Sequence, residues 1–193
     1  LKEDNRFTHI SVLGHSQGSL VGMVAAHRVG ADSFVSISGA ARNMADVMLE
    51  QLSGYKNSRP DIYKEAEKIV GRLEAEKTVD NVSKELLNIF SPQLQPFLIS
   101  WFKYNPAEEI TKLDIPVLIV QGTTDLQVKV SEARKIKEAY PEARLEIIEG
   151  MNHVLKEAPE DQAANIATYN DPEKPLVTEF KDVLIDFLKN NTK

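Results

Sequence analysis

The stretch Thr8-His9-Ile10-Ser11-Val12-Leu13-Gly14-His15-Ser16-Gln17-Gly18-Ser19-Leu20 constrains the fold more than any other. β-Rich residues run into a corner pinched by glycines and then into a helix, with Ser16 at the apex. The pattern Gly14-x-Ser16-x-Gly18 is that of a nucleophile elbow, where a serine Oγ is thrust out at the top of a helix-flanked sheet. The apex residue takes a strained backbone conformation. Gly14 and Gly18 are therefore both expected to lack a side chain so that strand and helix can pass closely. With Gly and Ser each at ~7% of residues, the pattern arises by chance in roughly one such chain in twenty, so its setting must carry the inference. The setting agrees: Ser19 to His27 reads as a buried helix packed through small residues.

Taken in order, residues Phe7 to Leu13 read as a first strand, fully buried by its apolar and β-branched run, and a helix follows to about Arg28. Ser33 to Ile37 is a second strand, and this strand–helix–strand spacing implies parallel pairing with a right-handed crossover. From Arg42 the texture turns helical: Ala45–Leu52, Pro60–Glu76, Val82–Phe90 and Pro92–Tyr104, with Asp80-Asn81-Val82-Ser83 supplying capping residues. No strand is evident there, so the segment is expected to be a helical insertion over the sheet. Its aromatics Phe90, Phe97, Trp101, Phe102 and Tyr104 either pack its own core, the simpler reading, or line an apolar pocket above Ser16.

Strand texture returns at Ile115–Gln121, whose proline falls among the first residues, where a missing donor is tolerated. Val130–Ala139 makes an amphipathic helix, Arg144–Ile148 a fourth strand, Glu157–Asp171 a polar surface excursion, and Lys174–Lys189 a closing amphipathic helix. The expected organisation is thus a mostly parallel α/β sheet of about four strands. Residues 1–41 and 114–193 form the core, and 42–113 a helical cap.

Composition narrows the partners. The 193 residues, 42% hydrophobic and 27% charged, suit one domain with a sizeable core. A net charge of −6 with both signs interspersed and no Lys/Arg-dense stripe argues against nucleic acid. Apolar runs such as Pro116–Val120 are too short to span a bilayer. Without cysteine there is no disulfide framework or thiolate metal site, and no cue to redox compartment. No signal sequence and no initiating Met open the chain, which leads us to expect a processed or truncated product whose cellular address lies upstream.

Three chemistry-bearing residues fall at the C-terminal ends of three expected parallel strands: Ser16, Asp125 and His153. That rim is where open α/β sheets place their sites. A serine hydroxyl is a poor nucleophile without a base in hydrogen-bond reach. His153 would take the Ser16 proton and return it to the leaving group, while Asp125 would hold the imidazole and stabilise the imidazolium. Each also has a plainer reading: a turn serine, an Asx turn after a strand, a surface-loop histidine. Asp114 and Asp161 sit less well relative to the strands, and His9, His15 and His27 suit the base role badly. Coincidence of all three roles at matching strand ends favours the triad.

The elbow Gly14-His15-Ser16-Gln17-Gly18, the strand end Gly122-Thr123-Thr124-Asp125-Leu126-Gln127-Val128 and the loop Gly150-Met151-Asn152-His153-Val154-Leu155-Lys156 resemble the α/β-hydrolase superfamily. Within it they are similar to bacterial carboxylesterases and serine-aminopeptidase-like hydrolases. The resemblance implies Ser16 as nucleophile, Asp125 as acid, His153 as base, and the backbone N–H of Gln17 as first oxyanion donor, with no metal or organic cofactor. It implies a small-molecule ester substrate cleaved through an acyl-serine. Amide or peptide cleavage, acyl transfer to another acceptor, and a non-catalytic binding module of the same fold stand as alternatives. The family also has strands before the elbow and a loop among them that gives a second oxyanion N–H. This chain lacks them, so it is expected to be the C-terminal part of a longer hydrolase, impaired in isolation. Its elbow strand becomes an edge expected to pair with the missing half or with a second copy.

Overall fold

The computed structural model describes residues 3–191. Those up to Ala41 and from Pro106 onward form one compact unit, and Arg42–Asn105 another.

The first unit is built on a four-stranded parallel sheet in the order β1-β2-β3-β4: β1 Ser11–His15, β2 Ser33–Ile37, β3 Val117–Gly122 and β4 Arg144–Ile148. Between β1 and β2 runs α1, Gln17–Val29, which ends at Gly30 in the left-handed conformation that a residue without Cβ adopts at least cost. β1 starts at Ser11 rather than Phe7. Its ladder opens at the pair Ser11–Ser33, just after Ile10 N–H is taken by the Asp32 carboxylate. Nor is β1 fully buried. Among the described residues it pairs on one side alone, and Leu13, in register with the buried Val35, remains 45% exposed. β3 likewise begins after Pro116, whose carbonyl accepts from Phe34 N–H but whose nitrogen has no proton to donate.

β2 and β3 are buried throughout, as central parallel strands covered on both faces require. One face holds Met23, Ala26, Phe34, Ile110, Val117, Ile119, Ala133 and Ile136; the other holds Val35, Ile37, Leu118, Val120, Ile148, Phe180 and Phe187. Ile110 and Leu113 pack in the first of these clusters. The boundary expected after Leu113 therefore lies at Asn105, because Pro106–Leu113 bury their apolar residues against the sheet.

The second unit carries α2 Met44–Gln51, α3 Tyr55–Ser58, α4 Pro60–Glu74, α5 Leu87–Phe90 and α6 Gln95–Phe102. Ile62, Ala66, Ile69, Val70 and Leu73 form the apolar stripe of α4 and close on Leu86, Phe90, Leu98 and Phe102. Trp101 packs on this cluster, whereas Phe97 stays half-exposed with its ring 5.4 Å from that of Trp101. The helix expected from Val82 shrinks to α5; ahead of it Ser83 N–H donates to the Glu65 carboxylate and Leu86 N–H to Ser83 O.

Chain order then gives α7 Pro106–Glu109, α8 Val130–Ala139, α9 Gln162–Ala167 and α10 Thr178–Asn190, all in the first unit. The stretch 157–171 is more than a polar excursion. It contains α9, and Asn165 on that helix is fully buried.

Candidate active site

At Ser16 the backbone turns through φ 56°, ψ −124° between β1 and α1, a strained conformation for a residue with a side chain. Ser16 N–H is fixed to Ile37 O at 2.8 Å, which anchors the corner to the end of β2. The two glycines differ in their contribution. A Cβ on Gly14 would collide with the Gly18 carbonyl and lie 2.7 Å from Ser19 Cα, whereas a Cβ on Gly18 would meet open space. The close approach expected of both is thus imposed by Gly14 alone. Gln17 is the first residue of α1, where helix amides have no partner within the helix.

The strand ends bring Ser16, Asp125 and His153 together. His153 Nε2 is 3.0 Å from Ser16 Oγ, and its Nδ1 is 2.9 Å from Asp125 Oδ2 and 3.1 Å from Oδ1. Asp125 and His153 are buried. Burial pushes the Asp125 carboxyl up. The hydrogen bond and charge of His153, with the backbone N–H groups of Val128 and Gln127, outweigh it and hold the carboxyl below its ordinary range. A carboxylate only accepts, so Nδ1 of His153 donates to it; in the neutral imidazole this leaves the Nε2 lone pair facing the Ser16 hydroxyl.

A shell of polar side chains holds this arrangement. Gln121 Nε2 donates to Asp125 Oδ2 at 3.0 Å and to Val128 O at 2.9 Å. The amide of Asn152, fully buried, accepts from Val154 and Lys156 N–H and donates to Asn165 Oδ1 and Thr168 Oγ1. Asn165 Nδ2 donates in turn to Thr124 O at 2.8 Å, so α9 clamps the loop of Asp125 to the loop of His153. Gly122 makes room for that closure, since a Cβ there would strike Met151 O. Nothing local marks Gln121, Asn165 or Thr168 as site residues in the sequence; only Asn152, beside His153, was in a stretch already singled out.

The other candidates lie elsewhere. His9 Nε2 is 3.3 Å from Ser33 Oγ, His27 lies in the last turn of α1, and Asp161 caps α9. Among the described residues, no group of three His, Asp or Glu side chains is disposed to hold a metal ion, and no helix is long and apolar enough to cross a membrane.

The sequence matches no protein-family model and no curated protein. Solved structures do match. An esterase from Pyrococcus furiosus is 19% identical at a TM-score of 0.54, over 100% of this chain and 58% of its own. A bromoperoxidase from Bacillus anthracis is 21% identical at 0.54, over 97% and 70%. An α/β hydrolase enzyme from a lagoon-sediment metagenome is 17% identical at 0.51, over 96% and 63%. The fold is that of the α/β-hydrolases. The chain spans 58% of the length of the Pyrococcus protein. Within this fold Ser16, Asp125 and His153 each follow the C-terminal end of a parallel strand, β1, β3 and β4 respectively.

Proposed function

We propose that this chain carries the nucleophile, base and acid of a serine hydrolase that cleaves carboxylic esters through an acyl-Ser16 intermediate. The observation that supports it most is the continuous chain from Ser16 Oγ through the His153 imidazole to the ionised Asp125 carboxylate. In this reading Ser16 Oγ attacks the ester carbonyl carbon as its proton passes to His153 Nε2. The imidazolium then gives that proton to the departing alkoxide, and the acyl group stays on Ser16. Water, deprotonated by the same Nε2, attacks the acyl carbon and releases the acid and free Ser16. Asp125 stays ionised throughout and stabilises the imidazolium. The N–H of Gln17, at the positive end of α1, serves as one donor to the oxyanion. The Pyrococcus neighbour is an esterase, which supports an ester as substrate.

The test is covalent. A fluorophosphonate should label the chain at Ser16 with one-to-one stoichiometry, and Ser16→Ala should abolish labelling. Before labelling, the chain should hydrolyse p-nitrophenyl acyl esters faster than aminoacyl anilides, and labelling should abolish both. A folded chain that remains unlabelled overturns the reading; faster anilide cleavage replaces ester with amide as its substrate.

A further inference from the structure

His15 precedes Ser16 and faces the loop of His153. Its Nε2 lies 2.7 Å from the His153 carbonyl oxygen, and the two imidazole rings are 4.8 Å apart and tilted by 49°. A carbonyl oxygen only accepts, so Nε2 of His15 carries a proton and donates it into this bond. The neutral imidazole suffices for that.

Other ties on the His153 loop run to the Asp125 loop and to α9. Thr124 N–H donates to Met151 O, Gly150 N–H to Thr123 Oγ1, Asn152 bonds Asn165 and Thr168, and His153 Nδ1 bonds Asp125 itself. Among the described residues, two side-chain bonds join the elbow to residues 150–156. One is the reactive contact of Ser16 Oγ with His153 Nε2, and the other is the bond from His15. The first must break and re-form in every turnover. The second involves no transferred proton and grips the backbone of the residue that supplies the base.

We infer that His15 is a positioning residue, which sets the separation of Ser16 Oγ and His153 Nε2 by pinning the base loop to the residue next to the nucleophile. The inference rests on the roles given above to Ser16 and His153. A donor is what the position requires, and neither a charge nor a base is needed there. Misplacing a reacting group by about 1 Å costs up to ~100-fold in rate. His15→Phe keeps a ring without a donor, His15→Leu is a second donorless variant, and His15→Gln restores an N–H of similar reach.

The experiment compares these variants with the unaltered chain, each first checked for a native circular dichroism spectrum. It reads the rate of fluorophosphonate labelling, kcat and KM on p-nitrophenyl acetate, and water exchange of the His153 Nδ1 proton in the imidazole NMR spectrum. Expected are a ~10–100-fold slower labelling and lower kcat for His15→Phe and His15→Leu, with KM little moved. Their His153 Nδ1 proton should also exchange faster, and His15→Gln should recover most of the lost rate and protection. Donorless variants that label and exchange like the unaltered chain overturn the positioning role while leaving Ser16 as nucleophile. An unlabelled parent overturns the nucleophile instead, and the exchange measurement then decides the His15 bond by itself.

Discussion

Replacing Asn165 with alanine tests whether the two functional loops are one mechanical piece. The side chain is fully buried and makes three bonds: it donates to Thr124 O at 2.8 Å and Pro159 O at 3.0 Å, and accepts from Asn152 Nδ2 at 3.2 Å. Pro159 is exposed, so water replaces that bond at little cost. The Thr124 carbonyl and one Asn152 proton are left without partners inside the protein, at about 1–3 kcal/mol each. The loss should therefore be about 4 kcal/mol, equivalent to a fall in Tm of roughly 8–16 °C for a domain of this size. Urea unfolding at neutral pH measures it directly. Because Thr124 and Asn152 adjoin Asp125 and His153, labelling of Ser16 should also slow at temperatures where the variant is still folded. Asn165→Asp should be worse, since a carboxylate would face two carbonyl oxygens, and worse still as pH rises and the buried group is pressed to ionise. A loss below about 1 kcal/mol for Asn165→Ala, outside the range expected for a buried orphaned pair, would refute the clamp.

Other outcomes follow from the same geometry. Gly14→Ala should fail to fold or lose both elbow and labelling, because its Cβ meets backbone that no rotamer change can move, whereas Gly18→Ala should fold; circular dichroism and labelling of the pair check this. The folded-state value of Asp125 lies below its ordinary 3.8, so its ionisation contributes stability that is fully present above that value and lost as pH falls through the folded one. Stability curves against pH should accordingly fall more steeply on acidification for the unaltered chain than for Asp125→Asn, and parallel curves would contradict the assignment. Among the described residues no strand pairs with the outer edge of β1, beside an exposed Leu13, and we propose that it pairs with another strand. Sedimentation should then show self-association or capture of a partner, and a stable monomer in dilute solution would count against it.

Local chemistry made much of this protein legible before any coordinates. β2, α8 and β4 lie where the alternation of apolar residues, the 3.6-residue stripe and the proline stops of the chain put them. The three candidate residues stand out because each follows a short run of apolar and β-branched residues that reads as a strand. The strand ends then converge for a geometric reason: right-handed crossovers make every strand run the same way, so whatever follows a strand lands on one rim. Packing between distant segments decided the rest. The exposure of β1 depends on its having one neighbour, which no property of Val12 or Leu13 announces. That Gly14 is sterically required and Gly18 is not depends on how α1 leaves the corner. Gln121, Asn165 and Thr168 look like ordinary polar residues, and His15 like a filler in the elbow. They acquire partners once folding sets loops 41 residues apart, Thr124 and Asn165, or 138 apart, His15 and His153, within hydrogen-bond reach. A short sequence window reads propensity and period, but a hydrogen bond between remote loops exists only in the folded chain.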